Sequence, residues 1–270
     1  MHSYAYLMEG NHEIARLEIK TDIKSIKKQS MWAGLKPGMR VADIGCGPGK
    51  TSLILHDIVM PGGSVVGIDF SEERISYAIN NYNGNVQFKC KDAFDSLDDL
   101  GTFDFVWVRF VLEYYRSNSF NLVQNISRIV RPGGILCLID LDYNCMSHFG
   151  INTRLEQAIT DCIQTLQVKA DFDPFAGRKL YTYLYDMGYE EIDAKVDAHH
   201  LMFGLMNETD SFNWRKKVEV INSKFPGLLN NYEGGFSQFQ LDFQTYINDP
   251  RRFTYTPVIS CRGRKKENIY

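Results

Sequence analysis

The chain has 270 residues, 44% of them hydrophobic, which is enough to bury a substantial core and more than most single domains contain. Its formal net charge of -3 gives no overall attraction for nucleic acid, and its six cysteines include no Cys-x-x-Cys pair. The sequence shows no signal-peptide pattern and no apolar stretch of the roughly 18 residues that a membrane helix needs, so we expect a reduced cytoplasmic protein without nucleic-acid or membrane partners.

The first half of the chain alternates between helical and strand patterns. A helical spacing of apolar residues covers 11–33 and ends before Pro37 and Gly38. Strands are then predicted at 41–45, 64–69, 86–90, 104–108 and 134–141, and helices at 50–59, 71–82 and 118–131. Alternation of this kind favours a parallel sheet with right-handed crossovers.

The second half is less regular. Helices are predicted at 151–168, 176–187, 209–224 and 235–247, and strands at 190–198 and 254–262. The last two of these helices lie between the two strands, so that a long helical interval interrupts the end of the predicted sheet.

Three alternate glycines join the first strand to the helix that follows it. They are Gly45, Gly47 and Gly49, in the segment from Val41 to Thr51. Glycine adopts a positive φ without strain and lets a ligand approach the backbone closely. The segment therefore predicts a turn that binds a nucleotide cofactor.

Residue spacing distinguishes three kinds of nucleotide site. A phosphate-binding P-loop needs glycine at position 44, where this chain has Ile44. If the segment were a P-loop, Asp140 and Asp142 could hold its Mg²⁺. The dinucleotide pattern G-x-G-x-x-G needs a third glycine at position 50, where this chain has Lys50. An S-adenosylmethionine site needs an acidic residue two positions before the first glycine, to face the ammonium group of the ligand. Asp43 stands at that position.

Polar residues follow the ends of the next predicted strands. Asp69 comes 20 residues after Gly49, where its carboxylate can accept hydrogen bonds from both ribose hydroxyls. Asp92 and Ala93 follow the third strand and suit an adenine edge, and Arg109 follows the fourth. Because open α/β sheets bind ligands outside the carboxyl ends of their strands, we expect these side chains to share one site.

Five segments in this order, 43–49, 67–71, 91–93, 109–114 and 131–134, resemble those of the class I S-adenosylmethionine-dependent methyltransferases. The flanking residues are similar to those of the small-molecule members of that family. The resemblance implies an α/β, Rossmann-like fold. Its seven-stranded sheet would be doubly wound and mostly parallel, with an antiparallel last strand and helices on both faces.

The resemblance also implies a division into domains. Such enzymes usually join their last two strands closely, so we interpret 201–249 as a helical insertion that covers the substrate site. Residues 35–200 together with 250–264 would form the methyltransferase core, and 1–34 a helical cap.

Site residues are carried over by position. The residues implied to bind S-adenosylmethionine, or its product S-adenosylhomocysteine, are Asp43, Gly45, Gly47 and Gly49 around the methionyl group, Asp69 at the ribose, Phe70, Asp92 and Ala93 at the adenine, Arg109 at the methionyl end, and Arg16 and Tyr6 over the methionyl carboxylate.

The implied chemistry is methyl transfer to an oxygen, nitrogen, carbon or sulfur nucleophile of a small molecule. Because the sulfonium is already activated, alignment matters most, and a base is needed only if the nucleophile binds protonated. Candidates for that base or for substrate contact are Tyr143, His148, His199 and His200. We expect no metal, and a monomer or homodimer.

Two alternatives remain open from the sequence. An NAD(P)-dependent oxidoreductase would have an all-parallel sheet. A non-catalytic module of the same fold would bind a partner protein, with or without the cofactor.

Overall fold

A computed structural model describes residues 14, 16–18, 21–82, 84, 86–206 and 208–267 of the chain. The α-helices are α1 (Ile23–Ala33), α2 (Lys50–Val59), α3 (Glu72–Tyr82), α4 (Ser119–Ser127), α5 (Thr153–Lys169), α6 (Leu180–Asp186), α7 (Glu208–Lys224) and α8 (Gly235–Asn248). The strands are β1 (Arg40–Ile44), β2 (Ser64–Asp69), β3 (Gln87–Cys90), β4 (Phe103–Arg109), β5 (Val130–Leu141), β6 (His148–Phe149), β7 (Glu190–Phe203) and β8 (Phe253–Arg264). Short 3-10 turns lie at Asp98–Leu100, Leu112–Tyr114 and Gly177–Lys179.

The eight strands of the described residues belong to one sheet, in the order β3-β2-β1-β4-β5-β8, with β7 on the other side of β8. Strands β1 to β5 are parallel, and β8 is antiparallel to both β5 and β7. The predicted mostly parallel α/β sheet with an antiparallel last strand is thus confirmed. The two-residue β6, which pairs with the start of β8, was not predicted.

Alternate side chains of the central strands enter two different apolar cores. In β4, Phe105 and Trp107 pack towards α1, α2 and α3, whereas Val106 and Val108 pack towards α4 and α6. A strand that is buried on both faces has a continuous apolar sequence, which is why the pattern of β4 predicts it well.

The predicted helix 11–33 is interrupted at Thr21 and Asp22, and α1 begins at Ile23. Three other bounds differ from prediction because strand pairing extends further than the local pattern indicates, and one of them is the start of β5, at Val130 instead of 134. Helix α4 ends at Ser127 instead of 131, since Val130 already pairs with Phe103 of β4. Strand β7 continues to Phe203 instead of 198, since its whole second half pairs with β8.

Helices α5, α7 and α8 form a further apolar core beside the sheet. The buried members of this core include Leu155, Ala158, Cys162, Trp214, Val218, Phe239 and Phe243. Helix α5 begins at a regular cap, in which the side chain of Asn152 accepts a hydrogen bond from the Leu155 backbone N–H at 2.9 Å. Helices α7 and α8 lie in the interval interpreted as an insertion, and the division into domains stays a prediction. No helix in the described part of the chain has the length and apolar character needed to cross a membrane.

Candidate functional site

The glycine turn between β1 and α2 is held against the neighbouring strand. The backbone N–H groups of Gly45 and Cys46 both donate to the carbonyl of Ile68, at 2.8 and 3.0 Å. Gly45, Gly47 and Gly49 have φ values of +71°, +56° and +96°, which side chains rarely allow. The sequence-based interpretation of these glycines as a turn with positive φ therefore agrees with the structure.

Asp69 connects the end of β2 to this turn. Its Oδ2 accepts a hydrogen bond from the Gly47 backbone N–H at 2.9 Å, and its Oδ1 accepts one from the Ser71 N–H at 3.0 Å. A guanidinium nitrogen of Arg74 lies 3.5 Å from Oδ1. These bonds hold the carboxylate in one orientation at the carboxyl end of the strand.

A cleft of about 1150 Å³ opens above the carboxyl ends of β1 to β4. The predicted site residues that line it are Arg16, Gly45, Gly47, Asp69, Phe70, Asp92, Ala93, Arg109 and His199. Asp43 and Gly49 are not among the lining residues, and Tyr6 lies outside the described residues. The structure thus brings most of the predicted cofactor residues to one cleft.

Asp43 lies behind the turn. Its carboxyl is buried and accepts a hydrogen bond from the hydroxyl of Ser52, in the first turn of α2, at 2.6 Å. Burial raises the pKa of Asp43 to about 7; the Ser52 hydrogen bond opposes this rise, the charge of Asp69 adds to it, and Arg109 opposes it. Ser52 thus occupies Oδ2 of Asp43, and the approach of this carboxyl to a ligand ammonium stays a prediction.

We expect Asp43→Asn to reduce the pH dependence of stability. Folding raises the pKa of this carboxyl from 3.8 to about 7, so its proton stabilises the fold below about pH 4, and this contribution is lost as the pH rises through 7. Between pH 5 and pH 8 the wild type should lose about 2 to 3 kcal/mol more unfolding free energy than the variant. Urea unfolding at both pH values measures this difference. The exposed Asp95→Asn is the control, and an equal pH dependence in wild type and Asp43→Asn would contradict the assignment.

Arg109 ends β4 at the floor of the cleft. Its Nε donates to the side-chain oxygen of Gln29 at 3.2 Å, and its guanidinium lies 4.0 Å from the centre of the Phe110 ring. Burial lowers the pKa of Arg109 to about 10, while the carboxyls of Asp43 and Asp140 oppose that shift. An arginine held in this way presents a fixed positive charge to the cleft.

His199 reaches the cleft because β7 contains an irregularity. The pairing register of β7 with β8 shifts between Ala198 and His200, which leaves His199 outside the regular ladder. Its ring packs edge-on against Phe110, with centroids 4.8 Å apart, and lies 4.3 Å from the ring of His200. His200 itself is buried and lies beside Trp214.

The other two candidates for a catalytic role lie outside the lining of this cleft. His148 has both ring nitrogens near partners, Nδ1 at 3.0 Å from the Thr254 hydroxyl and Nε2 at 3.1 Å from the Cys145 carbonyl. Burial lowers the pKa of His148 to about 4, so the ring is neutral near pH 7. Tyr143 is half exposed and lies under the guanidinium of Arg178.

The two carboxyls considered for Mg²⁺ have other partners. Asp140 accepts hydrogen bonds from the backbone N–H groups of Leu112, Glu113 and Leu141, at 2.8 to 3.2 Å. Burial, followed by the charge of Glu113, raises the pKa of Asp140 well above its usual range. Asp142 pairs with the guanidinium of Arg178 at 2.8 and 3.1 Å. Asp140 therefore shapes the 3-10 turn Leu112–Tyr114.

That turn separates the cleft from a second, mostly apolar cavity of about 970 Å³ between α5, α7 and α8. Arg16, Glu113 and Tyr114 line both spaces. Glu113 is buried, and its Oε2 accepts a hydrogen bond from the amide of Asn144 at 2.6 Å. Glu113 was not predicted from the sequence as a site residue, although it lies in the segment 109–114 that carries the family resemblance.

Comparison with known proteins identifies the kind of domain. A family model described as a methyltransferase domain matches residues 35–188. Demethylmenaquinone methyltransferase of Bacillus cereus is 25% identical over 135 residues, which cover 46% of this chain and 56% of that protein. A 2-methyl-6-phytyl-1,4-hydroquinone methyltransferase of Synechocystis is 30% identical over 136 residues, or 48% of this chain and 42% of that protein. The chain thus spans about half the length of these curated relatives.

A solved structure shows the same fold. It is phosphoethanolamine N-methyltransferase 2 of Haemonchus contortus in complex with phosphomonomethylethanolamine and S-adenosylhomocysteine. The two chains are 16% identical with a TM-score of 0.59, and the similarity covers 96% of this chain and 59% of that one.

Proposed function

This chain belongs to the class I S-adenosylmethionine-dependent methyltransferases, and from that membership we propose that it methylates a nucleophilic atom of a small, largely apolar molecule. The observation that carries the proposal is the meeting of two cavities at one turn. A cleft lined by the predicted cofactor residues adjoins an apolar cavity, and Glu113 and Tyr114 line both. A methyl donor in the first and an acceptor in the second would meet at this turn.

The residues of the cleft fit a nucleoside with a charged tail. A Cβ atom on Gly47 would have the Leu17 side chain, at 3.6 Å, as its nearest neighbour, so the missing side chain leaves space in the cleft. We assign Asp69 to the ribose hydroxyls, since its carboxylate is fixed at the cleft wall. Phe70, which is 38% exposed, offers a flat apolar surface to the adenine, with Asp92 and Ala93 at its edge.

Bound S-adenosylmethionine supplies an activated methyl group on a sulfonium sulfur. The task of the protein is then to align the acceptor with that methyl group and to exclude water. The turn Leu112–Tyr114, fixed by Asp140, provides the alignment, and the apolar walls of α5, α7 and α8 provide the exclusion. Of the four candidate groups, His199 is placed to contact a ligand in the cleft, and we assign it that role.

The shape and polarity of the second cavity support a ring-bearing apolar acceptor. Its walls include Phe172, Phe239 and Phe243 with several branched aliphatic side chains. A mostly apolar lining with a few polar groups suits small, mostly hydrophobic ligands. The names of the two curated relatives, which act on quinone-type compounds, are consistent with this class of acceptor.

Calorimetric titration tests the cofactor, and a turnover assay tests the acceptor. S-adenosylmethionine and S-adenosylhomocysteine are expected to bind with dissociation constants of roughly 1 to 100 μM, and NAD is expected not to bind. With bound methyl donor, naphthols should yield S-adenosylhomocysteine faster than the polar acceptors glycine and phosphoethanolamine do. If NAD alone binds, the cofactor assignment is wrong; if only the polar acceptors react, the acceptor class is wrong.

A further inference from the structure

The apolar second cavity contains one continuous line of polar side chains. It begins at Glu113, whose Oε2 accepts from the Asn144 amide at 2.6 Å. The thiol of Cys145 donates to Asn144 Oδ1 at 3.3 Å, and the Lys217 ammonium lies 3.4 Å from the Cys145 sulfur. The line therefore runs from the turn beside the cofactor cleft into the apolar cavity and ends at Lys217.

Lys217 projects from α7 and lies, partly buried, at the wall of the apolar cavity. Its Nζ contacts the Cys145 sulfur at 3.4 Å and the face of Trp214, whose ring centre is 4.7 Å away. Within the described ranges no carboxylate lies within 4.0 Å of this nitrogen, so it forms no ion pair there. Its sequence neighbour Lys216 instead pairs with Glu219 at 2.7 Å.

A charge at an apolar wall is costly unless a partner compensates it. A thiol and an aromatic face compensate an ammonium only weakly. An anionic oxygen of a bound molecule would provide a much stronger partner, because a hydrogen bond between two charged groups is about twice as strong as one between neutral groups.

We propose that Lys217 binds an anionic oxygen of the methyl acceptor, so that the acceptor is an apolar ring compound with one acidic group, a phenol or enol or else a carboxylic acid. This inference rests on the proposed function, because it names the acceptor of the same site. Lys217 then fixes one end of the acceptor, and the rest of the ring extends along the polar line towards Glu113 and Tyr114. Specificity for an acid over its neutral isostere follows from this one side chain.

Absorbance titration of a chromophoric phenol tests the inference. The probe is 4-nitro-1-naphthol, whose anion absorbs visible light, and 1-methoxy-4-nitronaphthalene is its neutral counterpart. The titrations are run with and without S-adenosylhomocysteine, so that binding in the cofactor cleft is recognised. Bound to the wild type, the naphthol should ionise at a pH lower by about 1 unit or more, since an opposite charge within about 4–6 Å has this effect.

Variants on α7 separate the charge of Lys217 from its packing. Lys217→Met should bind the ionised probe about tenfold more weakly and lose the shift in ionisation, while its affinity for the neutral methoxy compound is kept. Lys217→Arg should retain the shift, and Lys216→Met should behave as the wild type. Thermal unfolding confirms that each variant is folded, and the ionisation shift in the wild type tests the inference even if Lys217→Met does not fold.

A second acidic probe, 1-naphthoate, distinguishes a phenol or enol oxygen of the acceptor from a carboxylate oxygen. Tighter binding of the naphtholate than of 1-naphthoate assigns a phenol or enol, and the reverse order assigns a carboxylate, provided that both depend on Lys217. Equal affinity of the ionised probes for wild type and Lys217→Met would overturn the inference, as would no binding of either probe to the wild type. If the same sample still binds S-adenosylmethionine and turns over naphthols faster than the polar acceptors, the proposed function stands while this inference fails.

Discussion

Asp69→Asn is expected to weaken S-adenosylmethionine binding by about a hundredfold or more. The carboxylate would accept two ribose hydroxyls, and each hydrogen bond to a charged acceptor contributes about 1.5–3 kcal/mol. Both oxygens of Asp69 accept hydrogen bonds, Oδ2 from the Gly47 N–H and Oδ1 from the Ser71 N–H and Arg74. In either orientation, the NH2 group of an asparagine would therefore face another donor. The variant should therefore lose about 1–3 kcal/mol of unfolding free energy as well, because a buried donor is left unpaired. Calorimetry and urea unfolding measure the two effects.

Asp95→Asn is the matched control for this change. Asp95 is exposed and does not line the cleft, and its substitution by asparagine removes the same charge. Its variant should bind S-adenosylmethionine as tightly as the wild type does. If Asp69→Asn also binds with wild-type affinity, Asp69 does not hold the ribose and the cofactor would have to bind elsewhere.

Gly47→Val is expected to abolish cofactor binding, with a fall in affinity of more than about a hundredfold. The new side chain would enter the cleft, where the nearest protein atom, on Leu17, is 3.6 Å from the new Cβ. Its backbone φ of +56° adds strain of about 1–2 kcal/mol, so the fold should persist with reduced stability. Titration with S-adenosylmethionine and circular dichroism of the same sample measure binding and fold together.

Two other glycines separate blocking of the cleft from backbone strain and packing. A Cβ on Gly49 would lie 2.8 Å from Phe88 and 2.9 Å from Ala78, so Gly49→Ala should lose about 2–5 kcal/mol of stability through overpacking and strain. Gly38 also has a positive φ, but a Cβ there meets nothing within 4 Å. Gly38→Ala should therefore bind normally and cost only about 1–2 kcal/mol. Loss of binding in Gly38→Ala would show that strain, and not the cleft, explains Gly47→Val.

Sequence patterns within a few residues predicted those site residues whose positions depend only on the backbone of one or two strands. Gly47 and Asp69 were predicted from spacing alone, because a turn with positive φ and an acid at a strand end are encoded within a few residues. Asp43 shows the limit of that reasoning. Its position next to the glycines is as predicted, but the direction of its carboxyl depends on Ser52, whose hydroxyl reaches it only once α2 packs on β1.

The histidines show a different limit. Strict alternation along β7 would place His199 and His200 on opposite faces of the sheet. The register shift before His200 changes this, and the two rings lie 4.3 Å apart. Such a shift depends on the partner strand β8, which lies some 50 residues away in the sequence and whose pairing no local pattern reports.

The sequence by itself determined the parallel sheet and the glycine turn, because both depend on backbone conformation and strand periodicity within short segments. The methyl donor followed from the resemblance of five ordered segments to a known family. Only the tertiary structure decided where the second, mostly apolar cavity lies and which polar groups line it. Glu113, Asn144 and Lys217 come from a turn after β4, a loop after β5 and helix α7, and they become neighbours through packing alone. The hydrophobic effect that packs those helices together is non-directional, so the sequence pattern specifies which faces are buried but not which side chains contact each other.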